Sequence, residues 1–187
     1  MDEVDSTAHP LYRAAHADLS RLMPEIVRIT GLPTQWTGRL VVRGLDFGPA
    51  GQKHGWCGIS ISQDVLAVPE YRWPTMIHEA LHSVSAAFSP TRLDPTNSRW
   101  EEAIAEQTQR LLRPELLELL DVGLNGTVVS ARDDAHPYNT YIQALETQRH
   151  AEGREARSFY LELLQLAPPG RVRRLIVALR ALVREDR

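Results

Sequence analysis

Two histidines four residues apart, with a glutamate beside the first, constrain this chain more than any other stretch: His78-Glu79-Ala80-Leu81-His82. On an α-helix, such positions lie about 40° apart around the axis and one turn apart along it, so both imidazoles can reach one ion. Zn²⁺ takes imidazole nitrogens at about 2.0–2.1 Å. Glu79 then flanks the same face, placed to take a proton from a metal-bound water. The pattern demands a helix with one side reserved for polar chemistry. Its neighbours meet that demand. At about 100° per residue from His78, Ile77, Leu81, Val84 and Phe88 fall in one arc, and His82 and Glu79 fall opposite. Pro74 suits a first helical position and Ser89-Pro90 a stop, which predicts a helix over residues 74–88.

A catalytic zinc keeps three protein ligands and a water, so two histidines leave one place to fill. The next helical stretch, Ser98 to Glu106, offers carboxylates at 101, 102 and 106. Ser98 followed three residues later by Glu101 reads as a capping box, with Glu101 folded back onto the helix start. Glu102 is then free to point elsewhere, and Glu106 shares its face. Two carboxylates at that spacing repel unless a cation lies near them. A metal with bound histidines would relieve this, Glu106 accepting a ring N–H behind a ligand. Together with Arg99 and Arg110, the same residues also read as a solvated, salt-bridged face. The residues alone leave both readings open.

In these segments the chain resembles the gluzincins, the zinc peptidases of the thermolysin type. The match is His78, Glu79 and His82, with Glu102 twenty residues beyond the second histidine. Where the family commonly reads Glu-(Ala/Gly)-x-x-(Asp/Glu), this chain reads Glu102-Ala103-Ile104-Ala105-Glu106, and the likeness covers residues 74–112. It implies a zincin-like fold, with His78, His82 and Glu102 as Zn²⁺ ligands and Glu79 as general base. It also places Glu106 behind His78, and a peptide or protein in the cleft as substrate. The chain is shorter than the large gluzincins, and no downstream segment aligns with their transition-state-stabilising His or Tyr. In length, and in Leu111-Leu112-Arg113-Pro114, it resembles the minimal members and the bacterial intracellular metallopeptidases that cleave repressors. For the oxyanion donor the candidates are His136, Tyr138 and Tyr141, against a plain role in capping a loop.

The rest of the sequence predicts an α+β chain, mostly helical, with a small sheet ahead of the active-site helix and a helical C-terminal part. Leu11, Ala15, Leu19, Leu22, Ile26 and Ile29 mark a helix over 10–30, ended by Gly31-Leu32-Pro33. Residues 39–43 and 56–62 read as strands around a turn-rich loop at 46–55. By the family likeness, 56–62 edges the cleft and pairs with extended substrate. Further helices are expected at 114–121, 137–150, 154–166 and 171–184, with Thr127-Val128-Val129 as a short strand or loop. In the last helix, Val172, Leu175, Ile176, Leu179, Leu182 and Val183 form the apolar face, and Arg171 falls among the solvated basic residues.

At 187 residues and 43% hydrophobic content, one domain over 1–187 can bury a core. A net charge of −3 points to neither nucleic acid nor a membrane surface. The first residues lack the basic and apolar regions of a signal peptide, and no apolar run approaches a membrane span, so a cytoplasmic location is expected. Cys57 is the only cysteine, which excludes an intrachain disulfide framework and a four-cysteine zinc site. His9, His16 and His150 carry no partner pattern, His54 falls in the turn-rich loop, and Trp56, Trp73 and Trp100 read as core packing. Oligomeric state is not written in these features. The expectation is a cytoplasmic zinc metallopeptidase. Two rivals are a peptidase dedicated to one regulatory protein and a non-catalytic zinc-stabilised interaction module. Glu79, which a structural site would not need, favours catalysis.

Overall fold

The apolar positions of the N-terminal stretch form α1 (Tyr12–Thr30), which buries Ala15, Leu19, Leu22 and Ile26 along one side. Gly31 ends it at φ 67°, in the left-handed region, with its N–H on the Val27 carbonyl. The computed structural model describes residues 10–44, 50–53, 58–86, 95–167, 169–171, 173, 174 and 176, with backbone alone at 53 and 95–98. Expectations at His9, His54, Trp56, Cys57, Phe88, Ser89-Pro90 and residues 177–184 lie outside the described residues, as do the side chains of Ser98, Val172 and Leu175.

Strands β1 (Leu40–Arg43), β2 (Gly51–Lys53) and β3 (Ile59–Ser62) form a mixed sheet in the order β1-β3-β2. The first pairs with β3 in parallel, Leu40 opposite Ile59, and the second antiparallel, Gly51 opposite Ile61. Two expectations are corrected here. The turn-rich loop contains a strand, β2, too short to show a period of two. And β3 does not edge the cleft, because it is bonded on both sides and all four of its residues are buried. The strand beside the cleft is β2.

After the short α2 (Gln63–Ala67), α3 (Pro69–Val84) carries both motif histidines. It starts five residues before the expected Pro74. Pro69 occupies the first turn, where its missing N–H is harmless, and Pro74 lies inside the helix. There the ring removes a single backbone bond near the helix start. Burial of every residue from Trp73 to Val84 offsets that loss, and the helix stops at Val84, short of the expected 88. The stripe of Ile77, Leu81 and Val84 does pack in the core.

Helix α4 (Pro95–Leu119) runs without a break through Pro114, so the separate helix expected at 114–121 does not exist. Instead of strand or loop, Thr127–Val129 belong to α5 (Gly126–Asp134), capped by the Asn125 side chain accepting the Thr127 N–H. The helices α6 (Asn139–Ala151) and α7 (Ala156–Gln165) follow, then helical backbone at 169–171, 173, 174 and 176. Arg171 is corrected as well: it is fully buried, not solvated. Helix α3 packs against α1, α4, β2 and β3, which makes it the centre of the core. The chain is thus α+β, mostly helical, with one small sheet. Among the described residues no helix is long and apolar enough to cross a membrane.

Candidate metal centre

Helices α3 and α4 lie against each other and bring together three donor atoms. The Nε2 atoms of His78 and His82 are 3.0 Å apart, and Glu102 Oε2 lies 3.0 Å from the first and 3.4 Å from the second. Ligands at about 2.0–2.1 Å from a tetrahedral ion stand about 3.3–3.4 Å from one another. The triangle is therefore close to one face of such a site. Two imidazole nitrogens and one carboxylate oxygen suit a divalent first-row metal. The buried His78, His82 and Glu102 group could hold a metal ion.

Each imidazole is backed by a second carboxylate. His78 Nδ1 lies 3.1 Å from Glu106 Oε2, and His82 Nδ1 lies 3.1 Å from Glu101 Oε1. An ionised carboxylate only accepts, so each Nδ1 is the donor and each Nε2 lone pair can turn to an ion. Glu106 is itself fully buried and accepts from Arg110 Nε at 3.0 Å. That burial contradicts a solvated face at Glu106, although the expected salt bridge to Arg110 is present. Arg99, which that reading would enlist, donates instead to the Tyr141 hydroxyl at 3.1 Å.

The capping-box reading of Ser98 and Glu101 fails. The helix begins at Pro95, so Glu101 sits well inside it, where its carboxylate is buried between His82 and Arg171. Glu101 and Glu102 point to different sides of the site, as their separation of about 100° on a helix requires.

Without a metal, these groups hold one another charged. Burial pushes His78 down, but the Glu102 and Glu106 carboxylates beside it win and raise it to about 9. His82 is also raised well above its ordinary 6.5, its burial outweighed by Glu102 and Glu101. Burial acts to raise Glu102 and Glu106, but the imidazoles they face hold both far below the usual carboxylate range. In Glu101, burial is outweighed by Arg171 and His82, which bring it down to about 2.

A cleft of about 370 Å³ opens onto two of the donor residues, His78 and Glu102, and is also lined by Gly51, Thr75, Glu79, Arg132, His136 and Tyr138 among others. Glu79 is thus on the same wall as two of the donor residues, beneath β2. Gly51 passes so close that a Cβ there would fall 2.6 Å from Glu79 Oε1. His136 Nε2 lies 3.5 Å from Glu106 Oε2, and burial lowers the His136 pKa against the pull of Glu106. Burial and the nearby Glu102 charge raise the Tyr138 hydroxyl, which stays protonated. Tyr141 does not line the cleft. Its ring packs edge-on against Trp100 at 5.0 Å. His16 and His150 lie elsewhere, the first bonding Gly38 O and the second largely exposed. Sequence reasoning missed Gly51, Thr75 and Arg132, which carry no motif, and the Arg171 contact, which spans seventy residues.

The chain matches no protein-family model, no curated protein and no solved structure.

Proposed function

We propose that this protein is a zinc-dependent peptidase of the gluzincin type, with a zincin-like fold. The observation that carries the reading is the donor triangle of His78, His82 and Glu102, two of whose members, His78 and Glu102, line a cleft together with Glu79. In a structural zinc site the fourth position is closed by protein, whereas a catalytic one stays accessible. Bound there, Zn²⁺ would polarise a scissile carbonyl and lower the pKa of an attacking water. Glu79 takes the proton from that water and delivers it to the leaving amine. Tyr138, protonated, provides an O–H donor along the wall where negative charge develops on the carbonyl oxygen, and the His136 ring lines the same wall with Nε2 toward Glu106. Glu106 and Glu101 hold the two imidazoles in the tautomer that presents Nε2.

The same cleft fits the narrower reading of a peptidase serving one protein partner. A non-catalytic zinc module is disfavoured by the carboxylate of Glu79 beside the donor set. The test is to measure metal content and peptide turnover for wild type and Glu79→Gln. Expected are one zinc per chain in both and turnover in the wild type alone. A folded wild-type protein that takes up no zinc overturns the reading, as does a Glu79→Gln protein within about tenfold of wild-type turnover.

A further inference from the structure

Among the described residues Arg171 is the largest fully buried side chain, and the metal centre reading leaves it without a task. Its Nη1 donates to Glu101 Oε2, while Nε and Nη2 donate to the Leu163 carbonyl at 3.0 and 2.7 Å. Nη2 also reaches Ser85 Oγ at 3.4 Å, at the residue that caps the histidine helix α3. The guanidinium therefore joins the end of α3, the last turn of α7 and Glu101 of α4. Glu101 in turn accepts from His82 Nδ1 with its other oxygen. A buried arginine is costly unless paired and fully bonded, and here the pair is a carboxylate that touches a ligand ring.

We propose that Arg171 is a positioning residue for the metal centre. It holds the Glu101 carboxylate fixed, and Glu101 holds the His82 ring in the rotamer and tautomer that aim Nε2 at the ion. The inference rests on the zinc reading above. Without Arg171, the Glu101 carboxylate keeps its histidine partner but loses the donor that fixes its other oxygen, and is free to swing. The His82 ring then loses its fixed acceptor. Outer partners of this kind change metal affinity about 10–100-fold when removed. Coupling runs both ways, so a bound ion should also tighten the segment that carries Arg171.

The experiment uses the full chain as wild type, Arg171→Met, Glu101→Gln and the double variant. Zinc affinity is read by competition with a chromophoric chelator, ligand geometry from the visible band of the cobalt-loaded protein, and stability from melts. Each single variant should lose about 10–100-fold in zinc affinity and shift the cobalt band. The double variant should lose no more than the worse single, because both act through one contact. An Arg171→Met protein that melts lower yet keeps wild-type affinity and an unmoved band overturns the proposal, since that is what a mere tether would do. Losses that multiply in the double variant overturn it too. If Arg171→Met does not fold, Arg171→Lys decides. It keeps the charge but not the fork, and wild-type affinity and band in that variant refute the role. Wild type binding zinc while the variants are unchanged removes this inference alone; wild type binding none removes the zinc reading as well.

Discussion

Replacing Gly51 by alanine tests the closeness of β2 to Glu79. The added Cβ would stand 2.6 Å from Glu79 Oε1, 2.7 Å from Thr75 Cγ2 and 2.8 Å from Glu79 Cγ, where ordinary contact begins at 3.4 Å. Something must move by about 0.8 Å at the worst atom. Thr75 is β-branched, buried and stiff at χ1, so the strain falls on the Glu79 carboxylate and on the edge strand. Overpacking of this kind costs about 1–3 kcal/mol of stability. A misplacement approaching 1 Å at a reacting group costs up to about 100-fold in rate. In the proposed function Glu79 serves as base and not as ligand, so zinc content should not change. Turnover of a mixed-sequence fluorogenic peptide library, metal analysis and chemical denaturation on one preparation give all three quantities. A Gly51→Ala protein with wild-type turnover refutes the placement of Glu79 against β2. One that loses zinc refutes the separation of base from ligand set.

In the proposed site Glu102 is a ligand and Glu106 a support, so Glu102→Ala should lose zinc affinity far beyond the effect of Glu106→Gln, about 10–100-fold by chelator competition. Equal losses would mean that Glu102 does not touch the ion. The second expectation concerns pH. Held at about 9 against an ordinary 6.5, His78 favours the folded state when protonated, so that stability is full below about 6.5 and fades as pH climbs through about 9. Metal-stripped protein should therefore melt at lower temperature at pH 9.5 than at about pH 6.5, and zinc, which displaces the protons at Nε2, should remove that slope. Melts of stripped protein that stay flat across this range would contradict the arrangement of His78 between Glu102 and Glu106.

What could be read from the sequence was what local periodicity encodes. The stripe of Ala15, Leu19, Leu22 and Ile26 sufficed for α1, and the four-residue spacing of His78 and His82 sufficed to place both rings on one side of α3. Proline was overweighted as a boundary. Pro74 and Pro114 both sit inside helices, where tertiary burial and length outweigh one lost backbone bond. Strand β2 was hidden because three residues carry no period and its pairing with β3 is not local. The Glu101 error has the same origin. The capping pattern assumed a helix start at Ser98, but the helix begins at Pro95, and Glu101 pairs instead with Arg171, seventy residues downstream.

That separation along the chain also sets an order of events during synthesis. His78, His82, Glu101, Glu102 and Glu106 are all made within one short stretch, and Arg171 is not. At about 5–20 residues per second, the arginine is added roughly 3–13 s after Glu106. If the site holds zinc as proposed, the two-helix ligand set emerges first, open at the back, before its proposed brace exists. Stalled chains ending ahead of Leu163 should then capture metal more weakly and release it faster than the finished protein. A stalled chain that holds zinc as tightly as the full one would show that the brace arrives too late to matter.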